Sequence, residues 1–411
     1  MKSKINKLLF LAPEIPALSA TFVYNEILNL EKRGVEVVPV SIHTPKSQAK
    51  EPEAEELSKR THYLYESSLR SAAKLSFIRA LKNPFCYSKA LYMVMRDAMK
   101  CGVFSRIGMG LFYRFLFAAV LANIIEKEKC SHLHCHFAHV STDIVMYASI
   151  LSNIPFSFTS HANDIFERHW LLEEKINRSQ FAITISEFNK NHLLNFGADP
   201  DKVHVVHCGV NPSIFGNPSP CPENVVFKIG SLGRLVEKKG FDVLIEACKK
   251  IKEKNIPFKL EIAGDGPLKK EYQRQIEKLG LESQVSFIGS LSHDAVPEWL
   301  KGLDAFALAC RKDKNNDMDG IPVVLMEAMM SNVPVVSTRL SGIPELVKDG
   351  KTGYLAEPED PDSLANAIYK IFEEPASRDR LCNDAMKHIK NKFNLLKNTY
   401  CLLKHFERVT S

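Results

Sequence analysis

Tryptophan is scarce in this chain, two residues in 411, and several familiar signals are missing outright. None of the ten cysteines falls in a Cys-x-x-Cys pair. In a large chain that opens without a secretory leader, such scattered cysteines read as reduced thiols in a cytosol. The opening "MKSKINKLLFLAPEIP" has only a short apolar run before Pro13 and Glu14. That is too short for a leader's apolar core and cleavage site, and it reads as a first strand. No uninterrupted apolar run reaches the about 18 residues of a membrane span, so no transmembrane helix is expected. There is no P-loop, no short-period repeat and no low-complexity tract. With 45% hydrophobic and 25% charged residues the composition is that of a soluble globular protein. A length of 411 residues makes two domains the better expectation.

Acids are nearly absent from one stretch. Between Arg70 and Arg114 nine basic residues meet a single acid, Asp97, a net +8 that leaves −2 for the rest of a chain totalling +6. The bases alternate with Phe77, Phe85, Tyr87, Tyr92, Phe104, Phe112, Tyr113, Phe115 and Phe117. Basic and aromatic residues on helical segments suit an anionic membrane surface. A helical insertion whose aromatics pack inward and whose charges face water accounts for them as well. Nucleic acid is not an expected partner, because no nucleic-acid motif accompanies the patch.

Along the chain, short β-rich runs alternate with amphipathic helical stretches, the pattern of parallel βα units. "NPSIFGNPSPCPEN", residues 211–224, holds four prolines and a glycine and reads as a linker. The alternation then restarts. The expected fold is α/β, with two Rossmann-like doubly wound domains facing across a cleft, where ligands bind beyond the carboxyl ends of the strands. The expected units are residues 1–215 with a basic helical insertion near 70–125, residues 216–385, and a helical tail 386–411 packing back on the first domain.

Two stretches of the second half carry chemistry. "GSLGRLVEKKG", residues 230–240, is not a dinucleotide fingerprint. It offers a glycine turn, then Arg234, then Lys239 beside Gly240 at a helix start. A guanidinium fork, an ammonium and helix amides make a seat for a diphosphate. In "DGIPVVLMEAM", residues 319–329, two acids bracket seven uncharged residues. Pro322 fits the first turn of a helix. Glu327 then lies further along that helix and leans back toward its start. Gly320 lets a ligand approach closely, and the amides of Gly320, Ile321 and Val323 point to the same place. Such a carboxylate pair suits sugar or ribose hydroxyls. A plainer reading, an acidic loop and a helix-capping glutamate, covers the stretch taken alone.

"GRLVEKKG", "IAGDGPL", "FIG", "DGIPVVLMEAM", "VPVVST" and "GIPELVKDGKTGYL" together resemble the nucleotide-sugar domain of the retaining GT-B glycosyltransferases of family four. The N-terminal stretches "LSATFVYNEILNLEKRG", "HCHFAH", "FTSHANDIF", "ISEFNKNHL" and "VVHCGVNP" resemble its exopolysaccharide branch, the colanic acid and amylovoran-type transferases. The resemblance implies that Arg234 and Lys239 bind the donor diphosphate, with Gly233 and Gly264 in the surrounding turns. Glu327 is implied to bind ribose, and Asp319 the donor sugar. The resemblance also implies that the backbone of Ile288 and Gly289 holds the base, that His161 faces the sugar and that Asp164 orders its loop. The family's first motif acid is Glu, where this chain has Asp319, one methylene shorter. The loop "PEIPALSATF" lacks the family's Gly-Gly pair, leaving Ser19 and Thr21 as its acceptor or donor contacts.

The implied activity is retaining transfer of a hexose from a nucleotide sugar, UDP- or GDP-linked, to a lipid-linked surface glycan. No cofactor and no metal are expected. "DMD" at 317–319 is an Asp-x-Asp, the metal-binding signature of the other glycosyltransferase fold. Arg234 and Lys239 already supply the cations for that task. "CSHLHCHFAH" invites a zinc site, but its alternation fits a strand with one or two histidines toward the cleft. The expected location is cytoplasmic, peripheral on the inner face of the plasma membrane. A GT-B-fold sugar-nucleotide epimerase and a non-catalytic partner subunit are the alternatives. The epimerase lacks the paired 230–240 and 319–327 stretches, and an inactive subunit would be expected to have lost Arg234, Lys239 or His161.

Overall fold

The computed structural model describes residues 7–17, 20–45, 52–215, 225–292 and 294–409. They divide into two units, Met1–Val206 with Leu396–Ser411, and His207–Leu395.

The first unit is built on seven strands: β1 (Leu8–Glu14), β2 (Val37–His43), β3 (His62–Tyr63), β4 (His132–His136), β5 (Phe156–Ser160), β6 (Ala182–Thr184) and β7 (Val203–Val205). All pair in parallel in the order 3-2-1-4-5-6-7. A parallel sheet is covered on both faces, which makes its inner strands apolar throughout. Leu8 to Ala12 of β1 accordingly have no exposure.

Between β3 and β4 the chain forms three long helices, Leu69–Lys82, Pro84–Lys100 and Arg106–Glu128. Each begins at a side-chain cap: the oxygens of Ser68, Asn83 and Ser105 accept from the amides of Ser71, Cys86 and Gly108. Ion pairs, some of them buried, tie the helices to one another and to the rest of the unit. Asp97 takes both Arg178 amines at 2.6 Å and the Tyr147 hydroxyl at 2.9 Å. Arg114 and Lys175 both meet Asp143 at 3.0 Å. Arg79 and Lys82 pair with Glu126, and Lys100 with Glu174. Acids outside the basic stretch thus offset part of its charge.

The nine aromatics of that stretch divide. Phe115 and Phe117 are buried, while Phe77, Phe85, Tyr92, Phe104 and Tyr113 are exposed. Helix Arg106–Glu128 is long and apolar enough by composition to cross a membrane. In the sequence Arg114 interrupts its apolar run. Leu111, Phe115, Leu121 and Ile125 of this helix are buried inside the unit.

The second unit has six parallel strands: β8 (Phe227–Leu232), β9 (Phe258–Ala263), β10 (Val285–Gly289), β11 (Ala305–Ala307), β12 (Val335–Thr338) and β13 (Tyr354–Ala356). Their order, β10-β9-β8-β11-β12-β13, is the 3-2-1-4-5-6 order of dinucleotide-binding folds. One apolar cluster covers each face, around Phe241, Leu260 and Ile368 on one side and Leu325, Met329 and Phe393 on the other.

The boundaries differ from those read in the sequence, where the units divide at 215/216 and 385/386. Val210 and Phe215 are buried in the second unit's core, as are Met386, Ile389 and Phe393. Residues 209–210 lie against 393–395: the Val210 amide bonds the Phe393 carbonyl, and the Leu395 amide bonds the Val210 carbonyl, both at 3.0 Å. Residues 211–215 of the proline-rich segment therefore belong to the second unit, and its remainder, 216–224, lies outside the described residues. Only the last helix, Leu395–Val409, returns to the first unit, where Phe406 is fully buried.

Candidate functional site

In each unit the strand order reverses between two neighbours, β1 and β4 in the first and β8 and β11 in the second. Ligands of such sheets bind beyond the carboxyl ends at that point. Both sets of candidate residues follow these strands or their neighbours.

In the second unit β8 runs into Gly233, Arg234 and a short helical turn, Glu237–Lys239. The Gly233 amide bonds the Ala263 carbonyl at 3.1 Å, and the Gly264 amide bonds the Gly289 carbonyl at 2.7 Å. The ends of β8, β9 and β10 are thereby held side by side. Gly264 has φ +125, and a Cβ there would meet the Gly233 oxygen at 2.0 Å. No side chain fits where these backbones cross. Ile288 is 38% exposed, and Gly289 has φ +79 with open space beside it.

Arg234 is exposed, and its guanidinium has no bonding partner among the described residues. Lys239 differs. Its Nζ lies 2.7 Å from Asp319 Oδ2, with both side chains mostly buried. Lys238 beside it lies 2.7 Å from Asp317 and 3.8 Å from Asp319. Two adjacent lysines thus meet two acids spaced by one residue. Burial works against the charge on Lys239, but Asp319 outweighs it and holds the ammonium above its ordinary range. Burial likewise pushes Asp319 up, and Lys239 and Lys238 together hold it lower. The Cys310 thiol, 3.4 Å from Asp319, is pushed well up by burial and by that carboxylate. The carbonyls of Asp319 and Gly320 accept from the Ser341 hydroxyl at 2.7 and 2.9 Å, which fixes the loop.

The helix that follows is Val323–Met330. Pro322 is its cap, with φ −64 and ψ 122, and not a residue of its first turn as the sequence suggested. The fixed ring suits φ, but ψ is extended, so winding starts one residue later. Ile321, Val324, Leu325 and Met326 are buried, while Val323 and Glu327, one turn apart, form the helix's open side. Glu327 therefore stands on the same side as the start of the helix.

In the first unit β5 ends at Ser160, and His161 begins the next loop. Asp164 accepts the His161 amide at 3.0 and 3.2 Å and the Ala138 amide at 2.7 Å, joining the loops after β5 and β4. Asn189 donates to the His161 carbonyl. The His161 ring lies 4.7 Å from each of the Phe22 and Phe137 rings. Burial, with His136 and His139 adding to it, holds His161 well below the usual imidazole range, so it is neutral. Its Nε2 lies 2.9 Å from His136 Nδ1, and His136 Nε2 lies 3.0 Å from Glu26 Oε1.

The histidines of β4 are all buried. His132, His134 and His136 occupy one face of a central strand, and Phe406 of the last helix packs against His132 and His134. Ser157 bonds both of those rings, and Thr159 bonds His134. Among the described residues Glu26, His134 and His136 offer ligand atoms within 4.8 Å of one another. Both nitrogens of each ring are already bonded, to Ser157 and Thr159 or to His161 and Glu26. The cluster reads as a hydrogen-bonded network.

Thr21 opens the helix Thr21–Lys32, and Ser19 lies outside the described residues. The sequence does not single out Lys238, Cys310 or Glu26, and His136 stands out in it only as one histidine of "CSHLHCHFAH". The Lys-Lys doublet and the Asp-x-Asp were visible signals for the first. Nothing local marks Glu26, which meets His136 from 110 residues away.

Residues 223–388 match the model of glycosyl transferases group 1, and residues 102–214 that of glycosyltransferase family 4. A putative colanic acid biosynthesis glycosyltransferase of Salmonella typhimurium is 29% identical over 369 residues, 87% of this chain and 89% of its own length. The amylovoran biosynthesis glycosyltransferase of Erwinia amylovora is 27% identical over 403 residues, 94% of this chain and 96% of its own. Among solved structures, the Anabaena protein HepE in complex with UDP aligns with TM-score 0.73 at 16% identity, covering 98% of this chain and 100% of that one. Sucrose-phosphate synthase from Thermosynechococcus elongatus aligns with TM-score 0.75 at 15% identity, covering 98% and 99%. At these identities the structures speak for the fold. The chain thus carries the domains of glycosyl transferases group 1 and glycosyltransferase family 4 on a GT-B fold, and its near-full-length relatives are glycosyltransferases of colanic acid and amylovoran biosynthesis.

Proposed function

We propose that the protein is a retaining, metal-independent hexosyltransferase that moves a hexose from a UDP- or GDP-sugar to a lipid-linked intermediate of a surface polysaccharide. The observation that carries this reading is the exposed Arg234 guanidinium beside the Lys239–Asp319 pair, 2.7 Å apart, at the switch point of the second sheet. A diphosphate is the ligand that such a fork and ammonium fit. Both cations then offset the charge that grows on the departing nucleotide. In this reading Glu327 takes the ribose hydroxyls, the strand ends at Ile288 and Gly289 take the base, and Asp319 and His161 take the donor sugar.

Metal independence is supported by the pairing of both acids of the Asp-x-Asp with ammonium groups. The positive charge that a divalent ion supplies in other transferases is built into the chain. A nucleotide donor is supported by the UDP in the Anabaena structure, and a surface polysaccharide by the relatives' names. The lipid-linked acceptor and a peripheral membrane location rest on the helices of residues 69–113. There Phe77, Leu81, Phe85, Tyr92 and Phe104 stand exposed among basic residues.

The test is a screen of UDP- and GDP-hexoses with the purified protein, with chelator present, for hydrolysis and for transfer to polyprenyl-linked sugar acceptors. The expected product keeps the donor's anomeric configuration by NMR. An inverted product removes retention, and activity lost to chelator removes metal independence. A sugar nucleotide altered at one ring carbon without acceptor is the epimerase outcome.

A further inference from the structure

We propose that Arg311 is a positioning residue for the diphosphate seat: from the loop after β11 it clasps the turn that carries Lys238 and Lys239. The inference rests on Lys239 binding the diphosphate, and it adds a residue outside both stretches that form the site, 230–240 and 319–329.

The Glu237–Lys239 turn and the loop of residues 308–319 hold each other from both sides. From the loop, the Arg311 amide donates to the Lys238 carbonyl at 2.9 Å, and Arg311 Nε donates to the Glu237 carbonyl at 3.2 Å. From the turn, Lys238 reaches Asp317 and Lys239 reaches Asp319, each at 2.7 Å. The loop thus engages the turn twice, near its root through Arg311 and near its end through the two acids. Between these points it closes on itself. The Asp313 amide donates to the Asp317 carbonyl and the Asp317 amide to Asp313 Oδ1, both at 2.9 Å. Gly240, with φ +66, lies so near the loop that a Cβ there would stand 1.8 Å from the Ala309 oxygen. The end of the turn is therefore seated directly on the loop's backbone, with no room for a side chain between them.

Arg311 is turned inward for this contact. Its side chain is 19% exposed, and each of its three nitrogens faces an acceptor. Besides the Glu237 carbonyl these are Asp242 at 3.0 Å, in the first turn of the helix Phe241–Glu253, and Glu359 at 3.5 Å. A planar guanidinium bonds a carbonyl and a carboxylate at once, which a lysine ammonium on its flexible stem does not reproduce. The two carbonyls taken by Arg311 belong to the residues just before Lys239. Holding those peptide groups sets the direction in which the Lys239 side chain leaves the backbone. Arg234 stands exposed and meets the ligand in the proposed reading, whereas Arg311 acts through the lysines.

Amide hydrogen exchange of the full chain, followed by mass spectrometry on peptides within 234–244, reads the turn without any ligand. The Lys239 and Gly240 amides bond the Val236 and Glu237 carbonyls, and in Arg311→Gln their exchange should quicken several-fold. Asp242→Asn, which loosens the far side of the guanidinium, should quicken the same amides less, and it carries the test if Arg311→Gln melts the second unit. Binding of UDP and GDP by calorimetry should weaken about tenfold in Arg311→Gln. Arg311→Lys keeps the charge without the fork and should weaken binding by a similar factor. In a Lys239→Ala background Arg311→Gln should weaken it by at most about twofold more, because the residue it positions is gone. Unchanged exchange of these amides in both Arg311→Gln and Asp242→Asn overturns the proposal whatever the binding. So do wild-type affinity in Arg311→Lys and full additivity of the Arg311 and Lys239 losses. A wild type that binds neither UDP nor GDP removes the nucleotide reading instead, and the exchange result then decides the clasp by itself.

Discussion

Lys239 and Asp319 lie 2.7 Å apart, while Arg234, five residues before Lys239, is exposed without a described partner. The two cations assigned to one diphosphate are therefore held differently. One is locked to a mostly buried acid and the other stands in solvent. Arg234→Ala should reduce transfer at least tenfold, the loss of one charge-assisted contact of about 1.5–3 kcal/mol, with no change in melting temperature. Lys239→Ala should reduce transfer as much and also destabilise the second unit by about 1–3 kcal/mol, because Asp319 loses its close partner. Thermal melts beside rate measurements separate the two. Equal melts for both variants would sink the distinction, and near-normal rates in both would sink the diphosphate assignment.

The two acids of the second unit should be separable by ligand. Glu327→Gln should weaken bare nucleotide diphosphate and nucleotide sugar alike, since both carry ribose. Asp319→Asn should weaken the sugar nucleotide and slow transfer, and leave the bare nucleotide nearly as before. Calorimetry with each ligand, with and without chelator, reads this out. Chelator should change neither binding. If it abolishes nucleotide binding in the wild type, the Asp317 and Asp319 carboxylates hold a metal and the ammonium reading fails.

The fold was legible because strands and helices alternate with a regular period and the inner strands are apolar runs. β9 and the helix Phe241–Glu253 stand where "FKLEIAG" and "GFDVLIEACKKIKEK" place them. The Glu327 position was legible for the same reason, since helical spacing sets a side chain's face. Domain edges were not. Proline density marks a turn, yet whether Val210 and Phe215 belong to one core or another depends on what they bury against. The lysine–acid pairs and the Glu26–His136–His161 row needed strand register and loops from distant segments, which no local pattern encodes.

The exposed aromatic face makes a prediction about membranes. Phe104, in the turn before the third helix, is 91% exposed and Phe85, on the second, 79%, and nearby Lys89 and Arg106 have no acid partner among the described residues. The protein should float with vesicles of phosphatidylglycerol and phosphatidylcholine, and less so in high salt, because screening shortens the reach of the basic residues. Phe85→Ser with Phe104→Ser should cut flotation several-fold without altering nucleotide binding. Equal flotation with purely neutral vesicles removes the electrostatic part, and no flotation with either removes the surface.

Four buried histidines of the first unit make it acid-labile. Burial lowers His132 to about 4 and His139 to about 3, and lowers His134 and His161 well below the ordinary imidazole value. A folded-state value below the unfolded one means that the unfolded chain takes up protons first as pH falls. Stability is then full above about pH 6.5 and falls below it, by about 2 kcal/mol per such histidine at pH 5. Against a total of about 5–15 kcal/mol for a domain, four such groups remove much of the margin. The two tryptophans allow the units to be followed apart, since Trp170 lies in the first and Trp299 in the second. In a Trp299→Phe chain, urea unfolding followed by Trp170 fluorescence should show a clearly lower midpoint at pH 5.0 than at pH 7.5. His132→Asn, which cannot take up a proton, should lessen that difference relative to its own value at pH 7.5. A midpoint independent of pH over this range would mean that the histidines titrate in place.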